Sequence, residues 1–585
     1  MKDDEAQDIN ETPRGTPDFK TELAAQLSEL IPEAIADGKV DVEKLRELLG
    51  DDAGSERERY GLFWAGKKRA LRSAQEPTTA TLRPDEEKSK DWDTTKNVFI
   101  EGDNLEVLKI LQKHYHGKIK MIYIDPPYNT GKDFVYPDNY KEGLETYLEW
   151  TRQVNEEGKK VSTNSESEGR YHSNWLNMMY PRLKLARNLL SDDGAIFVSI
   201  DFNEADNLKK MMDEIFGEAN FQREIVWRIG WLSGYKTMAD NFIRNHDSIF
   251  FYSKNYNSLG FIKKYIQNAD FKPLVKKDAD FTAKMKELSL DNKVQSQILN
   301  FINHENRPER YPLEDTWNSN EYDDLNSIAI VSFSGEKVSK LLNTGDEFKG
   351  QKSVKMLRRL LESMTTGDDI VLDFFAGTSS TAHAVMELNA EDGGNRKFIM
   401  VQLPEPTEEN SESRLSGFAT IADISRKRID VAGNKIAQTA GLTAPDVGFR
   451  AYTLSETNFN KWQMANEIDA TALEQRLLDL RDSTADEATP DTLLTEILLK
   501  QGYSLTEQVE SVDVEGLNLR SVGGGLLLAY LDEHKRPTLD QLRAVVDAPE
   551  LAKFVILENA FEGNDELKTN LAQLCKSKHI ELWTV

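Results

Sequence analysis

The chain has 585 residues, 39% of them hydrophobic, and a formal net charge of −27 at pH 7. Its length predicts three or four structural units. One cysteine, Cys575, cannot form an intrachain disulfide, and no Cys/His cluster has the spacing of a metal site. No apolar run reaches 18 residues and no apolar segment follows Met1, which argues against a membrane span or a secretion signal. We therefore expect a cytoplasmic protein without a bound metal.

The acidic composition limits how this chain could contact nucleic acid. A net charge of −27 repels a phosphate backbone over most of the surface. Residues 221–280 differ from the rest, because they hold ten Lys and Arg against six Asp and Glu, a local balance of +4. This segment is either a local basic surface for an anionic partner or an ordinary solvated surface of mixed charge.

The first 90 or so residues have the pattern of an appendage. Phe19–Leu30 and Val42–Leu49 are spaced like short amphipathic helices, and polar sequence follows over 72–96. The segment from Gly61 to Lys68 nearly matches a phosphate-binding loop. However, Lys68 stands where a metal-binding Ser or Thr is needed, and no strand precedes the loop. We expect no nucleoside triphosphate site there.

From residue 97 strands and helices alternate, and a long polar loop interrupts them over 132–170. The predicted elements are a strand at Val98–Ile100, a helix at Leu105–Tyr115, a strand at Lys120–Ile124, a helix at Trp175–Leu190, a turn at Ser191–Gly194 and a strand at Ala195–Ile200. Alternation of this kind indicates a parallel sheet with helices on its faces.

The pattern becomes irregular over 216–345, with short strands such as Ser248–Tyr252, and then resumes. The resumed elements are a helix at Val354–Met364, a strand at Asp369–Phe374, a helix at Thr381–Leu388 and a strand at Lys397–Leu403. The middle region is therefore predicted to be inserted into one α/β domain. After Gly448 a small αβ unit follows, with strands at Leu526–Leu531, Ala552–Leu557 and Glu581–Val585 and helices at Thr538–Val546 and Glu566–Lys576.

A stiff polar loop follows the strand Lys120–Ile124. Its residues are Asp125, Pro126, Pro127 and Tyr128, and the two prolines cannot extend a sheet. The Asp125 carboxylate, the Pro126 carbonyl and the Tyr128 ring would project from a fixed frame. Hydrogen-bond acceptors for both N–H groups of an aromatic amine favour a more nucleophilic nitrogen. An aromatic ring stacked on the base holds the base in place. The set suits methyl transfer to a base amine; the alternative is a proline-rich turn with an incidental tyrosine.

A second loop, from Asp373 to Thr381, joins a strand to a helix and reads Asp-Phe-Phe-Ala-Gly-Thr-Ser-Ser-Thr. Small residues there let backbone N–H groups approach a ligand at the helix N-terminus. Gly377 is its only glycine, so the loop does not have the G-x-G-x-x-G spacing. Taken alone, an ordinary tight turn is the more economical explanation.

Together, the two loops and their order resemble the β class of DNA amino-methyltransferases. In that class Asp-Pro-Pro-Tyr precedes the cofactor loop, and a target recognition domain lies between them. The wider context resembles the modification (Mod) subunits of type III restriction–modification systems. The segments that carry this likeness are Gly102–Leu108, Tyr123–Gly131, Asp373–Gly377 and Phe398–Pro404. The resemblance covers most of the chain and is weakest over 216–345 and in the first 90 residues.

The resemblance implies a Rossmann-like α/β methyltransferase sheet with an inserted target recognition domain, a helical N-terminal extension and a small αβ C-terminal domain. The implied limits are 1–95 for the extension, 96–215 for the catalytic part of the core, 216–345 for the recognition domain, 346–447 for the part of the core with the cofactor loop, and 448–585 for the C-terminal domain.

The family pattern also implies roles for particular residues. Asp125, Pro126, Pro127 and Tyr128 would form the catalytic set. The residues implied at the S-adenosylmethionine pocket are Asp103, Asp125, Lys352, Phe375, Gly377, Thr378, Ser379 and Gln402.

Two of the implied pocket residues depart from the usual pattern. Ser379 replaces the second glycine of the loop, which puts the affinity for the cofactor in question. Gln402 stands where many methyltransferases have an acidic residue for the ribose hydroxyls. An amide can still hydrogen-bond a hydroxyl, so we expect Gln402 to be tolerated.

Contacts with double-stranded DNA are expected from the inserted region. The candidates are Trp227, Arg228, Trp231, Lys263 and Lys264. Cations could bind phosphates or guanine edges, and aromatic rings could fill the gap left by an extruded base. The two tryptophans could equally be core residues of a small domain.

The resemblance further implies a homodimer, because type III modification subunits work as dimers. The sequence has neither an acceptable P-loop nor a recognisable nuclease cluster, so restriction would need a separate helicase–nuclease subunit. We expect N6 of adenine as the methylated atom, because Asp at the head of the tetrapeptide favours adenine in this family. The alternatives are cytosine N4 and a noncatalytic DNA-binding or assembly subunit of the same fold. A methyltransferase for small molecules or protein would leave the insertion unexplained.

Overall fold

The structure is a computed structural model. It describes residues 9–16, 35–36, 39–42, 44–45, 61–130, 171–228, 242, 244–268, 273–318, 338–342, 351–459, 488–561 and 563–585. The predicted helix Phe19–Leu30, most of Val42–Leu49, the polar loop 132–170 and Trp231 lie outside these residues. In the described part of the chain, no helix is long and apolar enough to cross a membrane.

A sheet of ten strands forms the centre of the protein. Numbered in chain order, its strands are β1 Thr81–Lys90, β2 Val98–Glu101, β3 Ile119–Ile124, β4 Leu190–Ile200, β5 Phe221–Arg228, β6 His246–Ser253, β7 Thr316–Asn318, β8 Ile370–Asp373, β9 Lys397–Gln402 and β10 Phe449–Ser455. Their order across the sheet is β7-β5-β6-β4-β3-β8-β9-β2-β10-β1. Six neighbouring strands run parallel to one another, in the order β4, β3, β8, β9, β2 and β10.

Strands β3 and β8 are direct neighbours at the middle of the sheet, with Met121 opposite Val371 and Ile122 opposite Leu372. Both are short, apolar and buried, as parallel strands covered on two faces must be. The loops that follow them therefore leave the same edge of the sheet side by side. The first of these loops begins at Asp125, and the second begins after Asp373.

Helices cover both faces of the ten-stranded sheet. Successive side chains of β3 alternate between them, because Ile122 joins one buried cluster and Tyr123 the other. The helices on the first face are Lys67–Gln75, Asn104–Tyr115, Tyr171–Leu189 and Ala205–Phe216. Those on the second face are Val354–Met364, Ser380–Asp392 and Ile421–Ala440. The α/β fold class expected from the sequence is confirmed.

The ten-stranded sheet includes strands from segments outside the predicted limits of the methyltransferase core. β1 lies in the polar stretch 72–96, which has no strand-like alternation of apolar residues. It pairs antiparallel with β10 at the edge of the sheet, so several of its polar side chains face solvent and the interior position of Pro84 is tolerated. Residues 191–194, predicted as a turn, form the irregular start of β4. The predicted domain limits stay a prediction, although this one sheet runs across all four of them.

The middle region adds smaller elements beside the sheet. A two-stranded antiparallel ribbon pairs Tyr265–Gln267 with Arg310–Pro312. Between these strands lie the helices Ala279–Glu287 and Asn292–Asn300, each capped by an aspartate whose side chain accepts a backbone N–H of the first turn. Their side chains are mostly exposed, so this region has little core of its own.

A second, six-stranded sheet forms the C-terminal unit. Its order is Asn10–Glu11, Glu581–Thr584, Lys553–Ile556, Leu527–Tyr530, Leu517–Val522 and Val509–Val514. The helices Leu539–Val546 and Asp565–Ser577 pack on one face, and the helix Pro490–Gln501 packs on the other. The predicted αβ unit is therefore present, and a strand from the N-terminal segment completes its edge.

Glu496 connects the C-terminal unit to the main sheet. Its buried carboxylate accepts hydrogen bonds from Thr457 Oγ1 at 2.5 Å and from Asn458, through the backbone N at 2.7 Å and Nδ2 at 2.9 Å. Lys500, one helical turn further on, is buried and lies near enough to favour the charged form of Glu496. These contacts fix the chain just after β10.

Glu496→Ala should destabilise the protein. The change removes the acceptor of three buried hydrogen bonds and a carboxylate that interacts favourably with Lys500, so we expect a loss of about 3 kcal/mol. Urea unfolding followed by circular dichroism measures it as a lower midpoint. Glu510→Ala, at an exposed position of the edge strand Val509–Val514, is the control and should change stability by less than about 0.5 kcal/mol. Equal midpoints for the two variants would contradict the role of Glu496.

Candidate active site

The Asp125–Tyr128 loop is anchored from beneath by the helix Tyr171–Leu189. Trp175 is fully buried and donates its indole N–H to the Pro127 carbonyl at 2.7 Å. The Tyr171 hydroxyl donates to the carbonyl of Asn129, which has a left-handed backbone with φ of 58°. Asparagine is among the few non-glycine residues that adopt this conformation readily. The loop therefore leaves the strand along a defined path.

Glu204 is a second anchor for the loop, and the sequence analysis missed it. Its fully buried carboxylate accepts from Asn129 Nδ2 at 2.5 Å and from Asn207 Nδ2 at 2.7 Å, and its Oε1 lies 2.7 Å from His172 Nδ1. A buried carboxylate needs such partners, because leaving it without them costs several kcal/mol. The signal available in the sequence was only its position shortly after β4.

The side chains of Asp125 and Tyr128 both contact the ammonium group of Lys352. Lys352 Nζ lies 3.1 Å from Asp125 Oδ1, and it also donates a hydrogen bond to the Tyr128 hydroxyl. Burial raises the pKa of Asp125, and Lys352 opposes that rise. Burial and the nearby Asp125 raise the pKa of Tyr128 well above its ordinary value, so the phenol stays protonated near neutral pH.

Asp373 organises the second loop, another role that sequence reasoning did not assign. Its Oδ1 accepts from the backbone N of Phe375 at 3.1 Å, and its Oδ2 accepts from Thr381 Oγ1 at 2.6 Å. The carboxyl group thus ties the end of β8 to the first turn of the next helix. Burial raises the pKa of Asp373 to about 7, with a further contribution from Asp125.

Gly377 occupies the turn of this loop in a left-handed conformation, with φ of +52°. Its N–H donates to Gln402 Oε1 at 2.6 Å, while Gln402 Nε2 donates to the Leu403 carbonyl. Gln402 therefore holds the loop rather than presenting both amide groups outward. A Cβ built on Gly377 would meet nothing closer than the Phe375 carbonyl oxygen at 4.0 Å, so there is open space beside the turn.

Ser379, the departure from the glycine pattern, is also left-handed, with φ of 56°. This conformation costs a non-glycine residue about 1–2 kcal/mol. Its hydroxyl is buried and hydrogen-bonds the hydroxyl of Ser425 on the helix Ile421–Ala440, which offsets part of that cost. The substitution thus preserves the backbone path that a glycine would take.

Thr378 and Ser380 are held from behind by Arg428. This buried arginine donates from Nη1 to Thr378 Oγ1 at 2.9 Å and to Ser380 Oγ at 2.7 Å. The predicted pocket residue Thr378 therefore turns its hydroxyl towards the protein. Arg428 lies about 50 residues beyond the loop, and only the fold brings it there.

Asp103 caps the helix Asn104–Tyr115 by accepting from the backbone N of Leu105 and Glu106, and its Oδ2 pairs with the buried Arg182 at 3.0 Å. The adjacent Asn104 donates to the Phe374 carbonyl at 2.6 Å, which joins the loop after β2 to the loop after β8. Asp103 therefore has a structural role in these contacts, and its contact with a cofactor stays a prediction.

The second loop leaves room for a ligand. There is open space beside Gly377, and Phe375 is an aromatic residue of the same loop. S-adenosylmethionine is a sulfonium cation with an aromatic base, so an aromatic side chain suits it. Among the described residues, no group of His, Cys, Asp and Glu is arranged to hold a metal ion.

The predicted DNA contacts have different environments. Trp227 is buried in the core beside Trp317, which favours the alternative of a core residue; its contact with DNA stays a prediction. Arg228 is exposed at the end of β5. Lys263 is exposed, with its ammonium 5.5 Å from the centre of the Tyr265 ring, and Lys264 is half-buried.

Comparison with known proteins places the chain among DNA methyltransferases. A family profile described as DNA methylase matches residues 119–412, which span both loops. The EcoP15I Mod subunit of a type III restriction–modification enzyme from Escherichia coli is 30% identical, over 92% of this chain and 93% of that one. The StyLTI Mod subunit from Salmonella typhimurium is 30% identical, over 88% and 87%. The solved M1.HpyAVI–SAM complex matches with a TM-score of 0.29 and 15% identity, over 57% of this chain and 98% of that one.

The chain is a DNA methyltransferase, and S-adenosylmethionine is its cofactor. More closely, it belongs to the family of Mod subunits of type III restriction–modification enzymes. Both predictions from the sequence are confirmed. This membership supports adenine N6 methylation and does not favour the cytosine N4 and noncatalytic alternatives.

Asp373→Asn should change how stability depends on pH. Because the pKa of Asp373 is raised to about 7, the folded protein keeps a proton that the unfolded chain releases near pH 4. The stability from this carboxyl is present below about pH 4 and is lost as pH rises through about 7. Asparagine does not titrate; its oxygen can accept from the Phe375 N–H, and its Nδ2 can donate to Thr381 Oγ1 in place of the second accepted bond. The urea midpoints should therefore fall less over this range. Asp369→Asn, at the amino end of β8, is the control; a wild-type slope in Asp373→Asn would contradict the assignment.

Proposed function

We propose that this chain transfers a methyl group from S-adenosylmethionine to N6 of an adenine flipped out of duplex DNA, with Asp125 and Tyr128 holding the base. The observation that carries the proposal is the adjacency of β3 and β8. It sets the catalytic loop and the loop of Phe375 and Gly377 side by side at one edge of the sheet. A base and a methyl donor bound at these two loops would be neighbours, as the transfer requires.

The residues of the first loop act on the target amine. The Asp125 carboxylate and the Pro126 carbonyl accept hydrogen bonds from its two N–H groups. These hydrogen bonds reduce the delocalisation of the nitrogen lone pair into the ring, so the nitrogen becomes more nucleophilic. The Tyr128 ring stacks on the base, and its raised pKa keeps the hydroxyl neutral. When bound, the cofactor would supply an electrophilic methyl group; the nitrogen bonds to it as the methyl–sulfur bond breaks, and the nitrogen then releases one of its N–H protons. Pro127 fixes this frame through its carbonyl, which Trp175 holds.

The second loop accounts for cofactor binding. Phe375 and Gly377 border the space where the methyl donor would lie, and Asp373, Gln402 and Arg428 hold the loop in shape. Thr378, Ser379 and Asp103 serve this pocket mainly through the contacts that they make inside the protein. This division of roles is part of the proposal.

Asp125→Ala should reduce methyl transfer by at least about 100-fold, because it removes an acceptor that bonds the amine in the transition state. Asp125→Asn keeps one oxygen acceptor and should lose less. Both should bind S-adenosylmethionine with near wild-type affinity by calorimetry. Transfer of labelled methyl groups to genomic DNA from a strain without this gene gives the rate.

The control for this experiment is Asp368→Ala, an exposed carboxylate at the amino end of β8, on the opposite edge of the sheet. It should methylate at the wild-type rate. A wild-type rate for Asp125→Ala would refute the assignment of the catalytic loop. Methylcytosine as the only product would retain the site and change the target base.

Contact with double-stranded DNA is proposed at the ribbon of Tyr265–Gln267 and Arg310–Pro312. The Tyr265 ring is partly exposed and lies between two cations, with the Arg310 guanidinium 4.5 Å and the Lys263 ammonium 5.5 Å from its centre. Positive charge on an otherwise acidic protein supports a phosphate-binding role. Lys264, next to the ribbon, and Arg228, exposed at the end of β5, are the further candidates for contact with DNA.

Replacing Lys263 and Lys264 with Glu should weaken binding to all DNA sequences and reduce the slope of log affinity against log salt by about one or two. Fluorescence anisotropy at several salt concentrations measures both quantities. Lys427→Glu with Lys435→Glu introduces the same change of charge at exposed positions of the helix Ile421–Ala440 and should bind as wild type. If the two double variants have the same affinity and slope, the ribbon is not part of the interface.

Assembly is the last element of the proposal. The EcoP15I relative is named as a subunit of a restriction–modification enzyme, and we propose that this chain forms a homodimer to which a helicase–nuclease subunit binds. In such a dimer one copy would supply recognition while the other supplies chemistry.

Light scattering without DNA should therefore give twice the chain mass. Mixed dimers should form when wild-type protein is mixed with an excess of Asp125→Ala. These dimers should remain active, because the variant copy still serves in recognition. A monomer at micromolar concentration with full activity would refute the shared arrangement and leave the catalytic assignment standing.

A further inference from the structure

Lys352 contacts both side chains to which the proposed mechanism gives a role in holding the base. Its ammonium lies 3.1 Å from Asp125 Oδ1 and donates a hydrogen bond to the Tyr128 hydroxyl. It is 4.9 Å from the centre of the Tyr128 ring, beyond the hydroxyl end, so the face of the ring stays available for a base. The side chain is 13% exposed. The cation thus bridges two catalytic groups without covering the stacking surface.

The backbone around Lys352 is held in place. Ser353 begins the helix Val354–Met364, and its carbonyl accepts from the N–H of Leu357 at 3.2 Å. On the other side, Gln351 Oε1 accepts from the backbone N of Val338 at 3.2 Å. The helix packs in the core on the second face of the sheet. The bridge therefore links the first loop to a fixed point in the second half of the core.

The charges around Asp125 explain why a cation is needed. Asp247 on β6 and Asp373 at the end of β8 both interact unfavourably with an ionised Asp125, and Tyr123 and Tyr128 are the neutral groups beside it. Asp247 is itself paired with Arg244 at 3.4 Å. Burial and Asp247 raise the pKa of Asp125, and Lys352 is the cation that opposes them.

We propose that Lys352 is a positioning residue for methyl transfer, whose bridge keeps Asp125 ionised and aligned with the Tyr128 hydroxyl so that the target amine meets a ready acceptor. A carboxylate has two oxygens and about four lone-pair sites. Lys352 can therefore remain on Oδ1 while the base amine donates to Oδ2. The inference rests on the proposed roles of Asp125 and Tyr128, and it differs from the family-based expectation that Lys352 contacts the cofactor.

Lys352→Met removes the cation and keeps most of the side chain's length. With the opposing charge gone, the pKa of Asp125 should rise further. Asp125 then stays protonated up to a higher pH and is a poorer acceptor for the amine, so the acid limb of kcat/KM should move to higher pH. We expect a loss of about tenfold at the acid end of the profile, and the loss should shrink as the pH rises. Affinity for S-adenosylmethionine by calorimetry should stay within about twofold of wild type.

Three further variants sharpen this test. Lys352→Arg keeps the charge and should retain an acid limb within about 0.3 pH units of wild type. Lys352→Gln keeps a hydrogen-bond donor without the charge and should shift like Lys352→Met, which guards against a variant that fails to fold. Lys355→Met, three residues along and exposed, is the matched control and should leave the profile unchanged.

The inference is overturned if both neutral variants keep the wild-type pH profile, or if they lose activity equally at every pH. It is also overturned if they lose cofactor affinity, which would make Lys352 a cofactor contact. The failure of this inference differs from that of the proposed function. An Asp125→Ala variant with full activity refutes the proposed function, whereas an inactive Asp125→Ala beside an unshifted Lys352→Met refutes the bridge alone.

Discussion

The pairing of β3 with β8 is the contact on which the site depends. Asp125 and Phe375 are 250 residues apart in the chain, yet parallel pairing at the centre of the sheet sets the loops that follow these strands next to each other. The sheet supplies this pairing from short apolar strands buried on both faces, and helices packed on each face keep them in register. A long segment can therefore lie between the two loops in sequence without separating them in space.

Buried polar groups then give the two loops their shape. Each is costly to remove from water, and each is matched with partners from another part of the chain. Arg182 pairs with Asp103 beside the loop after β2, Glu204 holds the loop after β3, and Arg428 holds the loop after β8. The catalytic side chains are thus supported from below by groups that do not touch substrate, as precise positioning requires.

Much of this architecture could be predicted from the sequence, because apolar periodicity and strand-end motifs are local signals. The helix predicted at Val354–Met364 has these limits in the structure. The edge strand β1 escaped prediction because it is polar, and the buried position of Trp227 became evident only when β5 joined the main sheet. Lys352 was singled out by family resemblance, but its contacts with Asp125 come from folding over more than 200 residues and leave no local pattern.

Long-read sequencing tests the catalytic role of the loop after β3 most directly. It needs DNA from a host that carries this gene, from the same host without it, and from a host with the Asp125→Ala variant. We expect N6-methyladenine on one strand of a single asymmetric motif in the first DNA, and its absence from the other two. If the Asp125→Ala host shows the same methylated motif, the loop after β3 does not carry out the reaction.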